Sequence, residues 1–150
     1  MEHSGGDTRP NEVTYTAVLA GLHRATWLDR RVADDHCKAI LERMHKRGIR
    51  PDKATYNILL KACLGNNSPE GVQNAMRYYG EIKQRKIVIS NDTWYIILHG
   101  LLRRREWDLA SEIARDHSKG GYKSSAAVEE LIKRINRERH NRANTVPEYI

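Results

Sequence analysis

Apolar side chains recur along this chain at helical spacing, in six stretches separated by sharp turns. In the first, third and fifth stretches they are Tyr15, Val18, Leu19 and Leu22, then Tyr56, Leu59, Leu60 and Cys63, then Trp94, Ile97, Leu98 and Leu101. In the second, fourth and sixth they are Cys37, Ile40, Leu41 and Met44, then Ala75, Tyr78, Tyr79 and Ile82, then Ala110, Ile113, Ala114 and His117. Positions i, i+3, i+4 and i+7 share one face of an α-helix, so each stretch predicts a helix with a single buried stripe. One such stripe arises easily by chance. Six in strict alternation indicate a helix pair repeated along the chain.

The turns carry the same punctuation. Gly48 and Pro51 stop a helix, since glycine takes the left-handed exit turn readily and proline cannot continue a helix. Asp52 then offers a carboxylate to the free N–H groups of the next helix. Arg9-Pro10-Asn11 repeats this pattern ahead of Tyr15. The units that follow are 12–52, 53–90 and 91–125. Residues 1–11 resemble the end of an earlier unit, Met44-His45-Lys46-Arg47-Gly48 with its Arg50-Pro51-Asp52, so the chain is expected to be cut from a longer one.

The extra residues of the first two units fall between their helices, where insertions leave the stacking faces untouched. Thr26-Trp27-Leu28-Asp29-Arg30-Arg31 is expected to extend the second helix at its start, with Trp27 or Leu28 packing the corner. Gly65-Asn66-Asn67-Ser68-Pro69-Glu70 reads as a loop in which Ser68 caps a helix opening at Pro69. Asn91 is expected to cap the fifth helix. After Gly120-Gly121, a seventh helix over 126–141 carries Val128, Leu131, Ile132 and Ile135 on one side only, the pattern of a terminal cap. Residues 142–150 have no periodicity and read as a flexible tail.

Composition adds a charge bias. Apolar residues make up 39% of the 150 and charged residues 30%, with 26 Lys and Arg against 19 Asp and Glu and a net charge of +7. That excess suits an anionic partner, of which nucleic acid is the commonest. No apolar run reaches the roughly 18 residues that cross a membrane. Cys37 and Cys63 lie on apolar stripes and read as buried reduced thiols. His23, His36, His45, His99 and His117 are scattered, and the adjacency of His36 and Cys37 is not a zinc-ligand spacing. His117 takes an apolar position and is expected at the solvent edge of a groove. No catalytic set, metal, cofactor or small-molecule substrate is expected.

Two segments carry a resemblance. Val13-Thr14-Tyr15-Thr16-Ala17-Val18-Leu19-Ala20-Gly21-Leu22 and Met44-His45-Lys46-Arg47-Gly48-Ile49-Arg50-Pro51-Asp52 resemble the two halves of a pentatricopeptide repeat of the P type. Thr55-Tyr56-Asn57-Ile58-Leu59-Leu60-Lys61-Ala62-Cys63 is similar to the first half again, and Thr93-Trp94-Tyr95 with His99-Gly100-Leu101 is a divergent copy. The resemblance implies an all-α, right-handed α-solenoid of helix-turn-helix repeats closed by a C-terminal capping helix. It also implies binding of single-stranded RNA at one base per repeat, the edge being read by the fifth and last residues of each.

On that implication Thr16 pairs with Asp52, a combination that resembles a guanine reader, and Asn57 pairs with Ser90, which resembles a pyrimidine reader. Tyr95 pairs with Ser125, which matches no known preference, so Tyr95 stacks on a base without reading it or the third repeat does not bind. The aliphatic wedge of the second position is Val13; Ala54 is small there and Asp92 unsuited. The late basic residue that touches phosphate is Arg24 and Arg103, with Gly65 lacking it. Arg104 and Arg105 read more simply as a helix end favoured by the macrodipole. The resemblance implies a non-enzymatic, sequence-selective RNA-binding module in organelle RNA processing, stability or translation, in the mitochondrion or else the chloroplast. The alternative is a helical scaffold that binds proteins, such as a subunit of a mitochondrial ribonucleoprotein or ribosome.

Overall fold

The computed structural model describes residues 11–25, 27–65, 69–121 and 123–143. The expected tail before Asn11, the corner residue Thr26, the Ser68 cap and residues 144–150 lie outside these. Among the described residues there are seven α-helices: α1 (Glu12–Arg24), α2 (Arg30–Lys46), α3 (Lys53–Gly65), α4 (Pro69–Gln84), α5 (Asn91–Arg103), α6 (Trp107–Lys119) and α7 (Ala126–Ala143). They form two compact units, Met1–Ile87 and Val88–Ile150.

In the first unit α1 packs on α2, α3 packs on α4, and α1 lies against α3. Tyr56, Leu59, Leu60 and Cys63 of α3 are buried, as are Ala75, Tyr78, Tyr79 and Ile82 of α4. Each large side chain so removed from water contributes about 1.5–3 kcal/mol. The first hairpin is less complete. Tyr15 and Leu19 are buried, but Val18 is 46% exposed and Leu22 half-buried. Ile40 and Leu41 are also half-buried, while Cys37 and Met44 are covered. Both cysteines are free and buried.

The corner between α1 and α2 differs from expectation. The helix takes in Arg30 and Arg31 but not residues 27–29; it begins at Arg30, because Asp29 accepts from the N–H groups of Arg31 (2.9 Å) and Val32 (3.3 Å) and so fixes the start. Of the two residues expected to pack the corner, Trp27 lies in the turn before that cap and is 84% exposed, whereas Leu28 is half-buried.

The exits of α2, α4, α5 and α6 share a left-handed residue. At α2 the Ile49 N–H donates to Met44 O (2.9 Å) and Gly48 N–H to His45 O (3.0 Å), the paired bonds that close a helix around a left-handed residue. Gly48 supplies it at φ 71°, and Gly121 at φ 64° ends α6. The equivalent turn after α4 has Lys86 at φ 57°, with Ile87 N–H on Ile82 O and Lys86 N–H on Lys83 O, both at 3.1 Å. A side chain in that conformation costs roughly 1–2 kcal/mol. Lys86→Gly should therefore raise stability by about 1 kcal/mol despite the added freedom of the unfolded chain, as read from urea melts.

In the second unit α5, α6 and α7 pack on one another pairwise. Trp94, Ile97, Leu98 and Leu101 face Ala110, Ile113 and Ala114 within its core, and α7 buries Val128, Leu131 and Ile135. Helix α7 runs to Ala143, two residues past its expected end, so residues 142 and 143 are helical rather than tail. His117 is not at a solvent edge. It is buried, edge-on to Trp94 at 5.1 Å, and its Nε2 lies 2.9 Å from Ser124 Oγ. Burial holds the imidazole below its ordinary value of 6.5. The unfolded chain then binds more protons than the folded one below 6.5. Stability of this unit should be full above pH 6.5 and decline as pH falls through it, levelling off below the lowered folded-state value. Thermal melts of His117→Gln across that range should lack the decline.

Candidate nucleic-acid interface

Helices α1 and α3 open on the same clasp, and α5 keeps only its hydroxyl contact. Asn11 Oδ1 accepts from the Thr14 N–H (3.0 Å) and Thr14 Oγ1 (3.2 Å) at α1. Asp52 Oδ1 accepts from the Thr55 N–H (2.9 Å) and Thr55 Oγ1 (3.0 Å) at α3. At α5 the hydroxyls of Ser90 and Thr93 lie 3.3 Å apart. A polar residue followed three positions later by threonine is the signal, since a short acceptor at the cap meets the N–H and hydroxyl one turn on. The threonines were legible at 14, 55 and 93, yet the repeat reading gave them no role.

The Asp52 carboxylate is thus held in place at the surface. The Thr55 N–H bond is the largest of the effects that hold it below the usual carboxylate range; burial, next in size, opposes it, and the Thr55 hydroxyl and Glu12 add to the lowering. Thr55 Oγ1 also lies 2.6 Å from Glu12 Oε1. Behind it is Thr16, only 5% exposed, whose hydroxyl donates to Glu12 O (2.7 Å) and lies 3.4 Å from Thr55 Oγ1. Thr16 and Asp52 therefore do come together, through Thr55. Thr16 is covered and Asp52 presented.

Other sequence-nominated residues divide by unit. In the first, Val13 is 76% exposed, Arg24 is exposed at the end of α1, and Asn57 is half-buried one turn into α3. In the second, Ser90 precedes α5 and Ser125 precedes α7, both half-buried. Ser125 Oγ accepts from the Val128 N–H (3.2 Å), so it caps α7 as Asp52 caps α3. Asn91 is not the cap of α5; its side chain joins the loop before α7, donating to Lys123 O and accepting from the Ser125 N–H, both at 3.2 Å. Tyr95, 39% exposed, lies flat on His99 with ring centroids 5.3 Å apart and planes 8° apart. Arg103 is exposed at the end of α5.

A recurring brace stiffens each hairpin behind this surface. Arg47 Nη1 donates to Tyr15 Oη (2.9 Å), Tyr56 Oη donates to Glu81 Oε1 (2.9 Å), and Trp94 meets His117. Burial, then the Glu81 charge, pushes the Tyr56 phenol well above the ordinary tyrosine value, so it stays a donor. In the core of the first unit His23 Nε2 lies 3.1 Å from Tyr78 Oη and 3.8 Å from Cys37 Sγ. His23 is 1% exposed, so this histidine is a core polar strut. Among the described residues no three His, Cys, Asp or Glu side chains are grouped to hold a metal ion, and no helix is long and apolar enough to cross a membrane.

Residues 2–66 match the family described as the pentatricopeptide repeat domain. The fold is similar to that in the crystal structure of the pentatricopeptide repeat protein PPR10 in complex with an 18-nt psaJ RNA element, with a TM-score of 0.63 and 21% sequence identity. The likeness covers 83% of this chain and 17% of that one, so the chain spans about a sixth of its solved relative. That likeness assigns the α-solenoid fold of helical hairpins. No curated protein matches the chain by sequence.

Proposed function

We propose that this chain, a pentatricopeptide repeat protein by the match over residues 2–66, is a single-stranded RNA-binding module and not an enzyme. The observation that carries the reading is the Asp52 carboxylate, exposed yet fixed by two bonds from Thr55. Those bonds hold the carboxylate at the surface, where it can accept from a base. An ionised carboxylate only accepts hydrogen bonds, so it favours a base edge rich in donors, as guanine's is. Thr16, covered behind Thr55, sets the position of that hydroxyl rather than meeting the base itself. Val13 offers an apolar surface for base stacking, Asn57 an amide for the next base, and Arg24 a charge for phosphate.

The expected result is a preference for one base at the position facing Asp52. It is measured by binding the chain to single-stranded RNAs that differ at one nucleotide. Equal affinity for all four would remove the base-reading role of Asp52 while leaving RNA binding in place.

The setting implied by the resemblance is organelle RNA processing, stability or translation, in the mitochondrion before the chloroplast. A scaffold reading, in which the chain binds proteins of a mitochondrial ribonucleoprotein, draws support from the second unit, where Asp92 stands in place of an aliphatic wedge and Tyr95 is already stacked on His99. Co-purification with an organelle ribonucleoprotein that survives nuclease treatment would favour the scaffold.

A further inference from the structure

The second unit contains a cleft of about 670 Å³ lined by His99, Arg103, Arg105, Trp107, Arg134 and Arg142, with Leu102 at its wall and Glu138 its one carboxylate. Arg134, Glu138 and Arg142 recur every four residues along α7 and so share one stripe of that helix. Arg103 ends α5, Arg105 stands in the turn after it, and Trp107 opens α6. Four guanidiniums against one carboxylate leave a strong positive excess. Among the described residues none of the four makes an ion pair; the neighbouring Arg137 does, with Glu130 at 4.0 Å.

Arg105 is placed by the turn after α5. It stands at φ 60°, with its N–H on Leu102 O (3.0 Å) and the Glu106 N–H on Leu101 O (2.9 Å), in the same exit turn that Gly48 serves after α2. Glycine would be relaxed there, whereas an arginine is strained and adds repulsion to a cluster of like charges. An anion bound among these side chains relieves the repulsion between their like charges. The cleft lies in the size range of a small-ligand site, and its aromatic members supply flat surfaces beside the charges. Trp107 is half-exposed, and His99 is stacked on Tyr95. Guanidiniums fork onto phosphate and aromatic rings take bases, a combination that suits a nucleotide chain better than an acidic peptide.

We propose that this cleft binds backbone phosphates of a single-stranded RNA with a base against Trp107, so that α7 belongs to the binding surface as well as closing the second unit. The proposal rests on the RNA reading above and extends it to residues outside the base-reading positions. The test uses the full chain and an oligouridylate, with affinity followed over a salt series. Each phosphate neutralised contributes about 0.7 to the slope of log affinity against log salt for single strands. Arg134→Gln with Arg142→Gln should lower that slope by about 1.4, equally for oligonucleotides of every sequence, at unchanged melting temperature. Arg105→Gly should lower it by about 0.7 while the melting temperature rises, which separates lost charge from lost fold. Binding by the wild type with an unchanged slope in both variants overturns the cleft and leaves the RNA reading standing. Absence of any wild-type binding overturns both. Uridine monophosphate quenching Trp107 fluorescence as tightly as the oligonucleotide, with the signal of Trp107 taken as the difference from a Trp107→Phe variant, would overturn the strand as ligand.

Discussion

Tyr78→Ala should destabilise the first unit by about 3–5 kcal/mol, the range for removing a fully buried aromatic. Tyr78 is 0% exposed and sits where three helices meet. Its ring is edge-on to His23 of α1 at 5.8 Å and to Tyr56 of α3 at 6.2 Å, and the Arg77 guanidinium lies over it at 5.1 Å. Its hydroxyl lies 3.1 Å from His23 Nε2. Burial, the largest effect, raises the phenol far above the ordinary tyrosine value, so it remains neutral and hydrogen-bonded at any working pH. Since a domain's whole stability is only about 5–15 kcal/mol, the alanine variant should be largely or wholly unfolded at moderate temperature. Tyr78→Phe keeps the rings and removes the hydroxyl. It should cost about 1–3 kcal/mol, the penalty for a buried polar group that loses a partner. Urea melts followed by circular dichroism give both values.

Two substitutions at Asp52 should part the cap from the contact. Asp52→Ala removes the acceptor for the Thr55 N–H and hydroxyl, and should cost about 0.5–2 kcal/mol of stability. Asp52→Asn keeps an acceptor at the same distance, and asparagine caps as well as aspartate, so stability should stay within a few tenths of a kcal/mol. Its amide nitrogen turns an all-acceptor group into one that also donates. Base preference at one RNA position should therefore shift in the asparagine variant and flatten in the alanine variant. A purely structural role would give the reverse pattern, an asparagine variant indistinguishable from wild type in every binding profile. Removing a well-placed base contact is worth roughly 1–3 kcal/mol, or about tenfold and upward in selectivity.

The stripes of α3 to α6 were legible because sixteen residues at helical spacing all had neighbours to cover them. The first hairpin was less so: periodicity shows which face prefers burial, and only packing decides whether a side chain such as Val18 is covered. Trp27 makes the same point more sharply. The corner was expected to be packed by Trp27 or Leu28, but Asp29 caps α2 and leaves the indole exposed in the turn, while Leu28 is half-buried. His117 was misplaced because its partner, Ser124, comes from the loop beyond the helix. The His23–Tyr78 strut joins residues 55 apart, which no local pattern encodes.

At the candidate interface, the Asp52 cap was readable from Pro51-Asp52 ahead of a helix. The covering of Thr16 was not, because it depends on α1 lying against α3. The arginines of α7 looked like the solvated side of a terminal helix. Only their convergence with Arg103, Arg105 and Trp107 in the folded unit distinguishes them.

The measurement that bears most directly on the central claim is fluorescence anisotropy of labelled single-stranded RNA with the full chain, from low to high salt, beside a duplex of the same sequence. The proposed function predicts binding of the single strand that weakens linearly in log salt, and much weaker binding of the duplex, whose bases are closed to Asp52 and Asn57. No binding of any single strand at low salt, by a chain shown to be folded, would contradict it.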